Sequence, residues 1–219
     1  MRRCGKKKMK RFDCLKILKS AMDPKTITIT SFRGNGIEWS YLRGDKLNLY
    51  GFNMGLCTPV AVGVAAAVPD HNVIALDSDG SFLLDTGILI TLASLKLKNL
   101  CIIVFDNEAY GEYGHSPTFR GAVSLEKLAN AVGIEAATVT KLEEFTSAIK
   151  DSLRFGRTTL ISAKVETGVA KVDSQYALKS GRAIREEFEW SMREELGSKY
   201  KVGRKNAKSG EALGDTMLR

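Results

Sequence analysis

The chain has 219 residues, 44% of them hydrophobic, which suits one globular domain of ordinary size with a substantial core. No apolar run reaches the about 18 uncharged residues of a membrane span, and no apolar segment of signal-peptide type follows the basic N-terminus, so we expect a cytoplasmic protein outside the membrane. The four cysteines are scattered without a CxxC pair, which argues against metal or redox use and favours buried free thiols.

The formal net charge of +8 is concentrated at the two ends of the chain. Residues 1–11 carry +7 and residues 197–219 carry +4, so the segment between them is mildly acidic, at about −3. We interpret residues 1–11 as a basic N-terminal tail, 12–196 as the folded domain and 197–219 as a basic, disordered C-terminal tail. Basic tails without interleaved aromatic residues or a recognisable module do not predict specific nucleic-acid binding.

Hydrophobic periodicity and turn residues predict alternating helices and strands along the domain. Helices are predicted at residues 13–21, 37–42, 58–68, 81–95, 124–132, 142–153 and 173–196, and strands at residues 26–30, 47–50, 73–76, 100–105, 135–139 and 158–163. This alternation with short links predicts an α/β fold with a doubly wound, mostly parallel sheet and helices on both faces.

Polar residues follow two of the predicted strands, at residues 77–81 and 106–108. In open parallel sheets, ligands bind beyond the carboxyl ends of the strands. Asp79 precedes a glycine where a strand gives way to a helix, which suits a phosphate near the backbone and a carboxylate-bound Mg²⁺. Asn107 adds a neutral oxygen from the second turn, although the first turn alone is equally consistent with simple helix capping.

Three further segments are candidates for ligand contacts. The turn at residues 31–36 is either a plain strand-to-helix connection or a rim contact through Ser31 and Asn35; it is not a dinucleotide fingerprint, because Trp39 stands where the third glycine would be. Met54 lies in a glycine-framed loop before a small-residue helix. The polar, glycine-rich segment at residues 111–123 is longer than ordinary connections, which indicates function or mobility.

The two polar turns resemble the thiamine diphosphate fingerprint, usually written GDG followed at a characteristic distance by NN. The matching residues are Asp79-Gly80-Ser81 and Asp106-Asn107. Ser78 stands where the family has its first glycine, and Asp106 stands where it has its first asparagine. The positions that the family uses for its metal are intact. The chain is therefore identified as similar to the diphosphate-binding domain of thiamine diphosphate-dependent enzymes.

This resemblance implies a thiamine diphosphate-binding fold and assigns roles to particular residues. Mg²⁺ would be held by Asp79, Asn107 and the backbone oxygen of Ala109. Residues 52–55 resemble the loop that holds the aminopyrimidine, with Met54 as the apolar wedge that keeps the cofactor bent. The predicted cofactor-binding residues are Ser31, Phe52, Met54, Gly55, Ser78, Gly80, Ser81 and Tyr110.

Within the family, residues 107–111 and 114–118 look most like the β subunits or C-terminal domains of sulfopyruvate and phosphonopyruvate decarboxylases. Those relatives often have Gly-Gln-Pro-Thr in this segment. In this chain His115-Ser116 stands before the Pro-Thr pair, where that pattern has other residues. An imidazole is suited to proton transfer or to binding a substrate carboxylate, so His115 is the candidate catalytic residue. The alternative is an ordinary solvated loop histidine.

The function implied is that of the thiamine diphosphate- and Mg²⁺-binding subunit of a two-subunit 2-oxo acid decarboxylase, whose substrate bears an additional anionic group. In this family a glutamate on a separate pyrimidine-binding domain activates the cofactor, and no such domain is found in this chain. We therefore expect a hetero-oligomer with a pyrimidine-binding subunit.

Three alternatives stay open. One is a carboligase of the acetolactate synthase type. A second is a 2-oxo acid oxidoreductase subunit, against which the lack of a cysteine cluster for iron–sulfur transfer argues. The third is a non-catalytic, cofactor-binding regulatory subunit, for which Ser78, Asp106 and Asp85 inside an apolar helix are the supporting departures.

Overall fold

The computed structural model describes residues 8–44, 46–111, 114–118, 122–174 and 179–197. The helices are α1 (Arg11–Ala21), α2 (Gly34–Arg43), α3 (Cys57–Ala67), α4 (Asp79–Leu84), α5 (Ile88–Leu95), α6 (Leu125–Ala131), α7 (Leu142–Ser152) and α8 (Gly181–Leu196). The strands are β1 (Ile27–Ser31), β2 (Asn48–Phe52), β3 (Val73–Ser78), β4 (Leu100–Asp106), β5 (Ala109–Tyr110), β6 (Ser116–Pro117), β7 (Glu135–Val139) and β8 (Thr159–Lys164). None of the described helices combines the length and the apolar character needed to cross a bilayer.

Six of these strands form one parallel sheet in the order β2-β1-β3-β4-β8-β7. Strands β5 and β6 form a separate antiparallel pair. The chain runs outward from β1 to β2 and then crosses back to β3 on the other side of β1, so the direction of winding reverses between β1 and β3. Such a reversal leaves a crevice beyond the carboxyl ends of the strands. The predicted doubly wound α/β fold is confirmed.

Two hydrophobic cores, one on each face of the sheet, account for this architecture. Successive residues of a strand point to opposite faces. Val73 and Ala75 accordingly pack in the core that contains residues of α3, α5 and α6, whereas Ile74 and Leu76 pack in the core that contains residues of α1, α2 and α7. A strand buried on both faces reads as a continuous apolar run, which is why the central strands could be recognised in the sequence.

The single helix predicted at residues 81–95 is wrong, because the chain forms two helices there. Helix α4 ends at Leu84 and α5 begins at Ile88. Asp85 takes the C-cap position of α4 with φ −140° and ψ 56°, which is outside the helical region, and its carbonyl accepts the Ile88 amide at 3.3 Å. A carboxylate and a glycine within three residues interrupt the helix even though the flanking residues are apolar.

The last helix begins at Gly181, not at residue 173 as predicted. Ser180 caps it, since its hydroxyl accepts the Ala183 amide at 3.2 Å, and residues 171–174 are not helical. Helix α8 packs against the edge strand β2, and Ser191 Oγ accepts the amide of Leu47, the residue before that strand, at 3.0 Å. Two apolar residues of α8 lie in different cores, Phe188 in one and Ile184 in the other.

The folded domain extends further toward the N-terminus than the predicted boundary at residue 12. Met9 is buried and forms a parallel β-bridge with Val165, and Arg11 is a buried residue in the first turn of α1. On charge alone, residues 9–11 were placed in the N-terminal tail, but Met9 and Arg11 pack against the rest of the domain. Of the predicted C-terminal tail, only Gly197 lies within the described residues.

Candidate active site

A cavity of about 340 Å³ opens beyond the carboxyl ends of β1, β3 and β4. Its walls come from the turns after these strands, the loop that carries Met54, the β5–β6 hairpin and the connection after β8. The predicted site residues that line it are Ser31, Met54, Ser78, Asp79, Gly80, Ser81, Asn107, Ala109, Tyr110 and His115. Phe52 and Gly55 are not among the lining residues; Phe52 packs against the apolar core and the Gly55 amide is engaged by Ser81.

Asp79, the predicted metal ligand at the start of α4, is buried, and its Oδ2 accepts a hydrogen bond of 2.7 Å from Thr118 Oγ1. Burial is the main cause that raises the pKa of Asp79; the Thr118 hydrogen bond acts to lower it, and the nearby Asp106 charge raises it further. An ionised carboxylate is therefore costly at this position unless a cation accompanies it. This environment favours a bound metal ion.

Gly80 and Tyr110 are in close contact at the floor of the cavity. A Cβ atom added to Gly80 would overlap Cε1 of Tyr110 and lie 2.8 Å from its Cδ1. Only glycine therefore allows the tyrosine ring to lie against the backbone at this point. The contact joins the first turn of α4 to β5, so that the two predicted halves of the site are packed directly on one another.

Asn107, the second predicted metal ligand, lies in a turn that is fixed from both sides. Its Oδ1 accepts the Ala109 amide at 2.9 Å. Lys164, at the end of β8, lies 2.9 Å from Asp106 Oδ2 and 2.6 Å from Glu108 Oε1. Glu108 has φ +62°, an uncommon value for a residue other than glycine. The ion pairs of Lys164 thus hold both neighbours of Asn107 in place. Asp106 stands where the family pattern has asparagine, and Lys164 neutralises its buried charge.

Ser31 and Asn35 form a polar wall at the end of β1. The Asn35 Nδ2 group donates to Ser31 Oγ at 2.9 Å and to the Leu76 carbonyl at 3.1 Å. Asn35 is buried, and within the described part of the chain its Oδ1 has no hydrogen-bond partner. A buried acceptor without a partner is costly in a folded protein. It indicates a group that a ligand or ordered water satisfies.

Arg11 and Glu38 are two functional-site residues that were not predicted from the sequence. Arg11 lines the cavity and lies so close to Gly34 that a Cβ there would overlap its guanidinium. Arg11 could not be distinguished from the other basic residues of the N-terminal run. Glu38 could have been noticed, because it is the only charged residue in the helix predicted at residues 37–42 and so suggests a buried partner.

The donors at this site fit Mg²⁺ and a diphosphate. Mg²⁺ prefers a few protein oxygen ligands and takes the remainder from phosphate and water, and a carboxylate with a neighbouring amide oxygen meets that requirement. Met54 contributes an apolar side chain to the cavity wall, and His115, which also lines the cavity, is exposed and has φ +60°. The cavity lining therefore combines polar groups suited to a metal ion and a phosphate with an apolar side chain.

Comparison with known proteins places these features in a family. Residues 45–163 match the model of the thiamine pyrophosphate enzyme, C-terminal TPP binding domain. The chain is 32% identical over 157 residues to the sulfopyruvate decarboxylase subunit beta of Methanocaldococcus jannaschii, which covers 71% of this chain and 83% of that one. It is 32% identical over 123 residues to the acetolactate synthase large subunit of Porphyra purpurea, covering 51% of this chain and 21% of that one.

A solved structure shares the fold. The thiamine diphosphate-dependent 4-hydroxybenzoylformate decarboxylase of Rhodococcus jostii RHA1 matches with a TM-score of 0.63 at 21% identity, over 76% of this chain and 34% of that one. The chain thus spans most of the sulfopyruvate decarboxylase subunit but about a third or less of the two longer proteins. The resemblance predicted from the two polar turns is confirmed, and the chain belongs to the thiamine pyrophosphate enzymes, whose C-terminal TPP-binding domain it contains.

Proposed function

We propose that this chain is the thiamine diphosphate- and Mg²⁺-binding subunit of a cytoplasmic, two-subunit 2-oxo acid decarboxylase. The observation that carries the proposal is one cavity that Asp79, Asn107, Ala109 and Met54 all line. The similarity to a protein named sulfopyruvate decarboxylase subunit beta supports both the reaction class and a second subunit. It also favours a substrate that carries a second anionic group.

Each residue has a proposed task in binding. The Asp79 carboxylate, the Asn107 amide oxygen and the Ala109 backbone oxygen bind Mg²⁺, and diphosphate oxygens complete the coordination. The backbone at Ser78, Gly80 and Ser81 lies along the diphosphate, flanked by Ser31 and Tyr110. Met54 supports the organic part of the cofactor through apolar contact.

Thiamine diphosphate, when bound, supplies the electron sink that the decarboxylation of a 2-oxo acid requires. The residues of this chain bind and orient the cofactor, and the packed contact between Gly80 and Tyr110 holds the α4 turn against β5. His115, exposed at the mouth, holds the substrate carboxylate or transfers a proton there. Its position at the rim supports a role toward the substrate more than toward the diphosphate.

The partner subunit in this proposal supplies the pyrimidine-binding domain and its activating glutamate. The cavity mouth carries two exposed apolar side chains, Phe32 at 47% and Val169 at 49% exposure. Exposed apolar residues at the rim of a site are typical of surfaces that bind another protein. They support a site that lies between two subunits.

Calorimetry with thiamine diphosphate and Mg²⁺, on the full-length chain with its co-purified partner and without it, tests the cofactor assignment. We expect binding that EDTA abolishes and that Asp79→Asn weakens by about 100-fold or more, since the charged ligand is lost. Asp85→Asn is the matched control, because Asp85 does not line the cavity. An unmodified protein that binds no thiamine diphosphate in either preparation would exclude the assignment.

A carboligase of the acetolactate synthase type is the second candidate, and the similarity to the Porphyra purpurea large subunit is the observation that favours it. Incubation of the chain and its partner with sulfopyruvate, phosphonopyruvate or pyruvate distinguishes the two. Release of CO₂ with an aldehyde product supports decarboxylation, whereas acetolactate from pyruvate supports the carboligase. Cofactor binding without turnover of any 2-oxo acid would instead indicate a regulatory subunit.

A further inference from the structure

Asp77 is a buried carboxylate at the end of β3 that does not line the cavity. Its Oδ2 accepts a hydrogen bond of 2.7 Å from Thr58 Oγ1, at the start of α3. Its Oδ1 accepts the Ser78 amide at 2.9 Å, and the Ser81 hydroxyl also hydrogen-bonds to it. A single carboxylate thus joins β3, the first turn of α4 and the first turn of α3.

Ser81 extends this network to the loop that carries Met54. Its Oγ accepts the Gly55 amide at 3.0 Å, while its hydroxyl proton is directed to Asp77. The result is a continuous chain of hydrogen bonds from the Gly55 amide through Ser81 to Asp77. The Ser81 side chain is therefore occupied by the protein itself, although its residue lines the cavity.

Close packing holds the same loop in place. Gly55 has φ +84°, and a Cβ there would lie only 3.3 Å from Cβ of Leu84 on α4. A side chain at this position would therefore crowd α4. Because Met54 precedes Gly55, its position in the cavity follows from where this amide is held.

We propose that Asp77 and Ser81 are positioning residues that fix the spacing between the Met54 loop and the Asp79 turn before the cofactor binds. This inference rests on the proposed function, in which Met54 and Asp79 contact opposite ends of one thiamine diphosphate. A site whose two ends are already correctly spaced loses less conformational freedom on binding, so the affinity for the whole cofactor is higher. A ligand that occupies only the metal end does not benefit from this spacing.

Ser81→Ala tests the proposal, because it removes the link to Gly55 and leaves the backbone that faces the diphosphate. Binding of thiamine diphosphate and of inorganic pyrophosphate, both with Mg²⁺, is measured by calorimetry on the full-length chain with its co-purified partner. The loss of about one hydrogen bond should weaken thiamine diphosphate binding about fivefold to tenfold. The affinity for pyrophosphate should change less than about twofold, since the metal end is intact.

Ser191→Ala is the matched control. Ser191 is also a buried serine that accepts a backbone amide at 3.0 Å, from Leu47, and it lies on α8, outside the cavity lining. Both variants should lower the free energy of unfolding by similar amounts, but only Ser81→Ala should lower the affinity for thiamine diphosphate. If Ser81→Ala does not fold, Thr58→Val is the second variant, because it keeps the shape of the side chain and removes another donor to Asp77.

The outcomes are distinct. Equal weakening of both ligands in Ser81→Ala would mean that Ser81 contacts the diphosphate directly, and it would overturn the positioning role. Unchanged binding of thiamine diphosphate in Ser81→Ala, or in Thr58→Val where Ser81→Ala does not fold, would also overturn it. An unmodified protein that binds pyrophosphate but not thiamine diphosphate would overturn the proposed function, and the spacing role with it.

Discussion

Arg11 and Glu38 form a buried, two-point ion pair, with Nε 2.9 Å from Oε2 and Nη2 3.1 Å from Oε1. The same groups bind the connection after β8, where Arg11 Nη2 donates to the Gly168 carbonyl at 3.0 Å and Glu38 Oε1 accepts the Ala170 amide at 2.7 Å. The pair therefore holds α1, α2 and this connection together at one side of the cavity.

Removal of one partner of this pair should be strongly destabilising. Arg11→Met leaves the Glu38 carboxylate buried without its cation, and we expect the free energy of unfolding to fall by about 3–5 kcal/mol. The double variant Arg11→Met/Glu38→Leu should recover part of that loss, because it removes both buried charges. Urea denaturation measures each value.

The control for this experiment is the exposed pair of Arg182 and Glu186 on α8, which are 3.2 Å apart. Arg182→Met should change the free energy of unfolding by less than about 0.5 kcal/mol, since exposed pairs contribute little. If Arg11→Met is no more destabilising than Arg182→Met, the Arg11–Glu38 pair does not hold these elements together.

Gly80→Ala should displace Tyr110 from the cavity floor. The added methyl group overlaps the ring, and overpacking of this kind costs about 1–3 kcal/mol of stability. Gly63→Ala is the control, because a Cβ at this helical position in α3 meets no atom within 4 Å and alanine is the better helix former. Thermal denaturation should show a lower melting temperature for Gly80→Ala alone; equal melting temperatures would mean that the ring moves aside freely.

Thr118→Val should weaken Mg²⁺-dependent cofactor binding, and more so as the pH falls. The Thr118 hydrogen bond lowers the pKa of Asp79, against the raising effects of burial and of the Asp106 charge, so its loss raises that pKa further. Protonation then competes with the metal at a higher pH than in the unmodified protein. Calorimetric titrations at a series of pH values, from neutral pH down toward the ordinary carboxyl range, measure this shift.

Thr118→Ser keeps the hydroxyl group and should retain the pH dependence of the unmodified protein. A Thr118→Val variant whose affinity changes by the same factor at every pH would show that the hydrogen bond does not act through the ionisation of Asp79.

Three cysteines should be unreactive while the protein is folded. Burial is the main cause that raises the pKa of Cys14 to about 12 and that of Cys101 to about 11, and it also raises the pKa of Cys57 well above its usual value. Thiolate is the reactive form, so at pH 8 these thiols should not react with Ellman's reagent until urea unfolds the chain. Cys4 lies outside the described residues, and a Cys4→Ser background removes its contribution; rapid native reaction in that background would contradict the prediction.

Much of the fold was predictable because its signals are local. The bounds of β7 agree with the prediction at residues 135–139, and α6 lies within the helix predicted at residues 124–132, with Ser124 as its cap. The two polar turns were likewise identified from residues that adjoin buried strands. Their position beyond the carboxyl ends of adjacent strands follows from parallel pairing, which the short connections and apolar runs predict.

The sequence by itself determined the α/β class, the family resemblance and the two turns, because strand and helix periodicity and turn chemistry depend on near neighbours in the chain. Only the tertiary structure decided that Arg11 belongs to the domain, that Thr118 binds Asp79 and that Ser81 binds Gly55. These pairs lie far apart in sequence, and the choice of partner depends on how the helices and loops pack around the sheet. The local sequence pattern therefore predicted where the cavity lies. Long-range packing determined which residues form the hydrogen bonds and ion pairs around it.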